Sequence, residues 1–306
     1  MEIGQIINYD QAESDYMNYI VETLGDTRFH GLKVAIDCAN GAAYDVAPKT
    51  LNRLEAKVYT IHQEPDGTNI NENCGSTHMG DLKQFVKVVG SDVGLAFDGD
   101  ADRLLAIDEN GEMVDGDKIM AICGKYLSQQ DKLKDNTIVS TVMSNLGFDI
   151  ALGENGMRSE KTQVGDRYVL ENMLANGYQL GGEQSGHIIF LEHNTTGDGL
   201  LTAVQLLRVM QESGKKLSEL ASMMKVYPQV LKNAKVANDK KYRFTEYKAV
   251  SDRIKEIEEM FHGKGRVLIR PSGTEPLVRG MIEGENQEEL EQVATELVEL
   301  IQNEMN

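Results

Sequence analysis

At 306 residues and 41 % hydrophobic content, the chain is long enough for two or three domains with substantial cores. Its formal charge of −18, from 31 basic and 49 acidic side chains with no basic run, excludes a nucleic-acid partner, which needs a positive surface to displace counterions. No apolar stretch is long enough to span a bilayer and no signal-peptide pattern opens the chain, so no membrane partner is expected. Cys38, Cys74 and Cys123 are odd in number and lack metal-type spacing, as expected of reduced thiols in a cytoplasmic protein.

The chain opens on a polar segment, Met1 to Asn8. Tyr16, Tyr19, Ile20 and Leu24 then recur at helical spacing, and Gly25 ends the run. Leu32 to Ile36 predicts a buried strand. Asn40-Gly41 reads as a structural turn, since the glycine pattern of a dinucleotide site is missing. A helix follows to about Leu54, and Lys57 to Ile61 is the next strand. Strand, turn, helix and strand make the unit of a doubly wound α/β domain. Glu64 to Asn69 is a loop by its Pro, Gly and Asn content. Leu82, Phe85, Val86 and Val89 form a helix face that ends at Gly90.

Two short apolar runs, Val93 to Phe97 and Leu104 to Ile107, flank Asp98-Gly99-Asp100-Ala101-Asp102-Arg103. Carboxylates at alternate positions repel one another unless a cation lies between them. Hard oxygen ligands around Gly99 suit Mg²⁺, and Arg103 adds a planar cation shaped for phosphate oxygens. The three aspartates and Glu109 also fit positions 1, 3, 5 and 12 of an EF-hand loop. Arg103 at the glycine position and the strand-like flanks argue against calcium, and a solvated acidic turn is the remaining alternative. Glu109 to Glu112 signals a hairpin turn, and a first domain spans 1–114.

A second α/β pattern covers 115–225. Asp117 is the expected cap of a helix carrying Ile119 to Leu127. Thr137 to Val142 is a strand, Leu146 to Leu152 and Gly165 to Ala175 are helices, and Tyr178 to Leu180 and Ile188 to Leu191 are paired strands. Between that pair lies Gly181 to His187. Glu183, Gln184, Ser185 and His187 offer a donor and acceptor set suited to sugar hydroxyls, unless they only bond one another in a polar hairpin. Asp198 to Met210 is an amphipathic helix. A small α+β domain spans 226–306. Lys232 to Tyr242 is a cationic hinge or surface strand, Tyr247 to Phe261 and Gln287 to Ile301 are helices, and Arg266 to Arg270 and Leu277 to Glu283 are strands. Arg270-Pro271-Ser272-Gly273-Thr274-Glu275-Pro276, with Arg279, can form a phosphate nest or a plain proline-bounded turn. The fold class is thus α/β, with two consecutive doubly wound mixed-sheet domains followed by a small α+β C-terminal domain.

Asp98 to Arg103, Gly182 to His187 and Arg270 to Pro276, in this order, resemble the α-D-phosphohexomutase family. Val164 to Val169 and Cys74 to His78 add likeness to the branch that interconverts glucosamine 6-phosphate and glucosamine 1-phosphate. The resemblance implies Mg²⁺ on Asp98, Asp100 and Asp102, and sugar hydroxyls on Glu183 and Ser185. It implies the non-reacting phosphate on Arg270, Ser272, Gly273, Thr274 and Arg279. Arg103 would support the transferring phosphoryl group, and His187 is the candidate general acid or base. Family members carry a phosphorylated serine in a Ser-Ala-Ser-His-Asn-Pro-type loop of an N-terminal domain. No such loop occurs here, Met79 replaces a usual proline, and Gln163 stands where many relatives have lysine. The resemblance therefore implies domains two to four, with the phosphoserine domain as a partner in cis or in trans. Turnover by this chain alone is expected to be negligible. A mutase of glucose or mannose phosphate and a non-catalytic sugar-phosphate binding protein are the alternatives.

Overall fold

The computed structural model describes residue 4, residues 7–261 and residues 264–305. The predicted polar opening lies outside the described residues apart from Gly4, Ile7 and Asn8. The chain forms two compact units, one of residues up to 144 with 151–224, the other of 145–150 with 225–306. Among the described residues no helix is long and apolar enough to cross a membrane.

The first unit begins with α1 (Ala12–Glu22), β1 (Lys33–Asp37), α2 (Ala43–Arg53), β2 (Lys57–Ile61), α3 (Gly80–Val89), β3 (Val93–Phe97), β4 (Leu104–Asp108) and β5 (Met113–Val114). The strand order is β2-β1-β3-β4-β5. β1 runs parallel to β2 and β3, whereas β4 and β5 are added antiparallel. The order switches direction at β1, so the loops leaving β1 and β3 open on one crevice, where doubly wound sheets bind ligands. β3 and β4 are buried at every position, as the apolar runs Val93 to Phe97 and Leu104 to Ile107 require, and the buried Asp108 that ends β4 accepts from the Asn110 and Glu112 amides. Leu82, Val86, Ala96 and Ile107 pack between α3 and the sheet. Each such aliphatic burial is worth roughly 1.5–3 kcal/mol.

α4 (Gly116–Gln129) leads into a second sheet built from β6 (Thr137–Thr141), β7 (Arg158–Thr162), β8 (Leu180–Gly182) and β9 (Ile188–Phe190), in the order β7-β6-β8-β9. α5 (Leu146–Glu154) and α6 (Asp166–Asn176) are its connecting helices, and α7 (Gly199–Ser213) and α8 (Leu217–Ala221) follow. Two details differ from the sequence reading. The cap of α4 is Asp115, whose carboxylate accepts from the Lys118 amide at 3.0 Å, and not Asp117, which is buried inside the first turn. β7 was not anticipated, because Arg-Ser-Glu-Lys-Thr on a half-exposed edge has no apolar alternation.

α7 is buried on most faces and touches β4 of the first sheet, β9 of the second, and α1, α2 and α4. This shared helix makes the two sheets one compact unit. Its N-cap Asp198 accepts from the Leu201 amide at 2.9 Å and from the Tyr16 hydroxyl at 2.9 Å.

The second unit contains β10 (Gln229–Lys235), α9 (Lys248–Met260), β11 (Arg266–Pro271), β12 (Leu277–Glu283) and α10 (Gln287–Met305), with the antiparallel sheet order β10-β12-β11. Val230, Val278, Ile282, Ile257, Leu290 and Leu297 form its core. Asn145 belongs here too: its amide donates to Tyr227 O and Glu283 Oε1, and its Oδ1 accepts from the Tyr227 and Gly147 amides.

Candidate functional site

β3 delivers the acidic loop to the crevice. Ala101 has φ +62°, a left-handed bend that costs an L-residue roughly 1–2 kcal/mol. Hydrogen bonds hold it there. The Ala42 amide donates to Gly99 O at 2.8 Å, the Gly199 amide to Ala101 O at 2.9 Å and the Arg103 amide to Asp98 Oδ1 at 3.1 Å. Gly99 lies close under its neighbours: a Cβ there would press on the Asn71 and Ile70 side chains, 2.6 Å from Asn71 Nδ2. In this conformation Asp98, Asp100 and Asp102 bring carboxylate oxygens within 4.8 Å of one another.

The cost of that crowding is visible. Burial first, then the charges of Asp102 and Asp100, push the Asp98 carboxyl up to about 7 against the Arg103 amide bond. Asp102 Oδ1 is buried and has no hydrogen-bond donor among the described residues. Arg103 Nε stands 3.8 Å from Asp98 Oδ2 and 3.7 Å from Asp102 Oδ1, too far to satisfy either. An all-oxygen set with an orphaned buried carboxylate oxygen fits a hard divalent cation.

The β8–β9 hairpin presents the second loop. The Glu183 amide donates to His187 O at 2.9 Å and the Gly186 amide to Glu183 O at 3.0 Å. Arg103 and His187 pair in an isolated antiparallel bridge, and the Leu104 amide donates to Gly186 O at 3.0 Å. The acidic loop and the hairpin are therefore joined through their backbones. Glu183 Oε1 accepts from the Gly165 amide at 3.0 Å, and Gln184 Nε2 donates to Asp115 Oδ2 at 3.2 Å. The resulting open cleft, about 520 Å³, is lined by Arg103, Asp115, Thr141, Met143, Glu183 and Ser185 among others.

His187 sits behind this cleft, 4 % exposed. Its Nε2 accepts from the Gly197 amide at 3.2 Å and lies 3.5 Å from Asp102 Oδ2. Asp115, Gly116 and Gly165 were not singled out by sequence. The one available signal was Asp115 itself, an acidic residue directly before a helix.

The predicted phosphate residues lie in the second unit. Arg270 on β11 and Arg279 on β12 are directly paired in register, so both guanidinium groups leave the same face of the sheet. Ser272 is buried; its amide donates to Leu277 O at 2.8 Å and its hydroxyl accepts from the Glu275 amide at 3.2 Å. Arg279 gives one nitrogen to Glu275 at 2.9 Å, while its buried Nε has no acceptor among the described residues. Lys241, read from sequence as part of a surface segment, is 3 % exposed and donates to Glu275 O at 3.1 Å and Gly273 O at 3.5 Å. The loop thus rests on a buried ammonium.

Family models match the chain in three consecutive segments. Residues 14–111 match phosphoglucomutase/phosphomannomutase α/β/α domain II, residues 115–227 domain III, and residues 231–300 the C-terminal domain. A phosphoglucosamine mutase of Ruminiclostridium cellulolyticum is 59 % identical over 309 residues, covering 99 % of this chain and 68 % of that protein. One of Acetivibrio thermocellus is 60 % identical with the same coverage. Among solved structures, Aspergillus fumigatus N-acetylphosphoglucosamine mutase in complex with GlcNAc-6P and magnesium has a TM-score of 0.77 at 18 % identity, covering 99 % of this chain and 68 % of that one. The chain thus spans about two thirds of the length of these relatives. The motif order and the three matched segments together place it: the chain belongs to the phosphoglucomutase/phosphomannomutase family, the α-D-phosphohexomutases.

Proposed function

We propose that this chain handles the substrate of a phosphoglucosamine mutase, which moves a phosphoryl group between O6 and O1 of glucosamine. The observation that carries the reading is the Arg103–His187 bridge, because it joins the acidic loop to the hairpin and brings Arg103 to one cleft with Glu183, Gln184 and Ser185. Asp98, Asp100 and Asp102 are the residues that would hold Mg²⁺. When bound, the ion supplies charge neutralisation to the transferring group. Arg103 neutralises phosphoryl oxygens from the protein side. Glu183 and Ser185 receive sugar hydroxyls, and Glu183 is oriented for this by the Gly165 amide.

Arg270, Ser272, Gly273, Thr274 and Arg279 form the nest for the phosphate that does not react. The Gly273 and Thr274 amides make no hydrogen bond within the loop, and Arg279 Nε awaits an acceptor. One nest serves either sugar phosphate, since both present the same phosphate dianion to the two guanidinium groups. His187 is buried and its Nε2 accepts from the Gly197 amide, which argues against the proton-carrying role expected from sequence. Three buried free thiols fit a cytoplasmic setting.

These 306 residues contain no loop of the phosphoserine type, so the test supplies that element. Calorimetry with glucosamine 6-phosphate and Mg²⁺ is followed by a turnover assay with the phosphoserine domain of the Acetivibrio relative added. Binding that Ser185→Ala and Glu183→Gln weaken, and turnover only with the added domain, are expected. Binding without rescue selects the non-catalytic reading. Failure to bind any hexose phosphate sinks both.

A further inference from the structure

A second cluster of ligand-type side chains lies in the first unit, apart from the acidic triad. Asp37 ends β1, His62 follows β2, and Cys74 precedes the short turn at Gly75. A carboxylate oxygen, an imidazole nitrogen and a thiol sulfur from these three segments lie within 4.8 Å of one another. Asp37 and Cys74 are fully buried.

The hydrogen bonding leaves this cluster short of positive charge. Asp37 Oδ1 accepts from the Ala39 amide and Oδ2 from the Gly75 amide, both at 2.9 Å. No lysine or arginine reaches Asp37 among the described residues, and a buried carboxylate requires compensation. His62 Nδ1 is 3.0 Å from Asp37 Oδ2, yet it is buried and forms no hydrogen bond there. The far nitrogen, Nε2, lies 3.5 Å from Asp81 Oδ2. With the ring proton on Nε2, facing Asp81, the lone pair of Nδ1 faces that of Asp37 Oδ2. Two lone pairs at that distance repel unless a second ring proton or a metal ion lies between them. Cys74 completes the donor set, its sulfur accepting a long contact from Asn40 Nδ2 at 3.9 Å.

We propose that Asp37, His62 and Cys74 form a metal site for a borderline divalent transition ion of the Zn²⁺ class, with Asp81 orienting the imidazole. Mixed nitrogen, sulfur and oxygen donors select such an ion, whereas Mg²⁺ prefers the all-oxygen triad. The two sites are therefore sorted by chemistry. Binding replaces the Cys74 S–H bond with a sulfur–metal bond, and the proton leaves to solvent. The carboxylate behind the imidazole follows the common carboxylate–histidine–metal arrangement. Occupancy would also brace the acidic loop from behind, since Gly75 packs so closely beneath β3 that a Cβ there would lie 2.5 Å from Phe97 O. The inference does not depend on the mutase reading.

Cobalt is the probe. The chain is stripped with EDTA, given excess Mg²⁺, and titrated with Co²⁺ followed by Zn²⁺. One equivalent of Co²⁺ should produce a thiolate-to-cobalt charge-transfer band in the near ultraviolet, and one equivalent of Zn²⁺ should abolish it. Cys74→Ser should lose the band, while Cys123→Ser and Asp98→Asn keep it. Asp81→Asn should weaken binding by about 10-fold, and His62→Asn by more than about 100-fold, the upper range for losing an outer partner. Asparagine is chosen at His62 because φ there is +50°, which asparagine tolerates. It also retains the thiol, so it decides the matter even if Cys74→Ser fails to fold. No band at one equivalent, a band that survives in Cys74→Ser, a band lost in Asp98→Asn, or unchanged affinity in His62→Asn would each overturn the proposal.

Discussion

Arg103 and His187 face each other across an isolated antiparallel bridge, and the next residues reinforce it through the Leu104 amide and Gly186 O. Gly186 sits at φ +96°, and a Cβ there would fall 2.3 Å from Leu104 O, so no side chain fits without parting the two loops. Gly186→Ala should therefore weaken two ligands at once. We expect Mg²⁺ and glucosamine 6-phosphate affinities each to fall about tenfold, or ~1.4 kcal/mol, by calorimetry. Loss of sugar-phosphate affinity alone would show that the loops act independently.

Gly116 opens α4, where alanine would ordinarily favour the helix by about 0.8–1 kcal/mol. Here a Cβ would lie 2.2 Å from Glu183 O and 2.8 Å from the Gly186 amide, both backbone atoms that cannot rotate aside. Gly116→Ala should displace the sugar loop and raise the Kd for sugar phosphate about tenfold or more, equivalent to ~1.4 kcal/mol. Gly80 opens α3 with nothing near its Cβ position, so Gly80→Ala should match or exceed wild-type stability in urea. Equal behaviour of the two variants would refute the steric argument.

The acidic loop is legible because its flanks are unambiguous: Val93 to Phe97 and Leu104 to Ile107 are apolar throughout, and a strand pair places polar residues abruptly between them. What joins that loop to the hairpin is a tertiary pairing, and nothing in the residues around Arg103 names His187 as its neighbour. Asp115 and Asp117 both stand at the start of the same helix, and composition cannot choose between two aspartates where one hydrogen bond does. Lys241 was misjudged for a different reason. Lysine is almost never fully buried, so a cationic stretch reads as surface unless the acceptors that bury it are known. For the Arg103–His187 pairing and for Lys241 the missing information was a partner distant in sequence.

Asp198 provides a pH-dependent test. It caps α7, it accepts the Tyr16 hydroxyl, and burial pushes its carboxyl above the usual carboxylate range. A raised folded value means that the fold favours the protonated form. That contribution is fully present below the ordinary value of about 3.9 and is lost as pH rises through the raised value. Asp198→Asn retains a capping oxygen without the charge. Its stability relative to wild type should therefore improve as pH rises from about 4 to 8 in a urea series. Asp198→Ala loses the cap as well as the charge and should run about 1 kcal/mol below Asp198→Asn throughout. If asparagine falls further behind with rising pH, the carboxylate is stabilised and the assigned cause is wrong.

Lys241 should matter to the second unit more through geometry than through stability. Its ammonium holds the carbonyls of Gly273 and Glu275, which bracket the amides proposed to bind phosphate. Lys241→Met fills the same space but leaves those carbonyls without a donor, a loss of about 1–3 kcal/mol. Removing a buried ammonium also removes its desolvation penalty, which offsets part of that loss. The net destabilisation should be roughly 1 kcal/mol, while sugar-phosphate affinity falls about tenfold because the loop no longer holds its amides in register with Arg270 and Arg279. Urea unfolding and calorimetry on one preparation separate the two effects. Full affinity in a folded Lys241→Met variant would mean that the Arg270–Arg279 pair alone sets the nest.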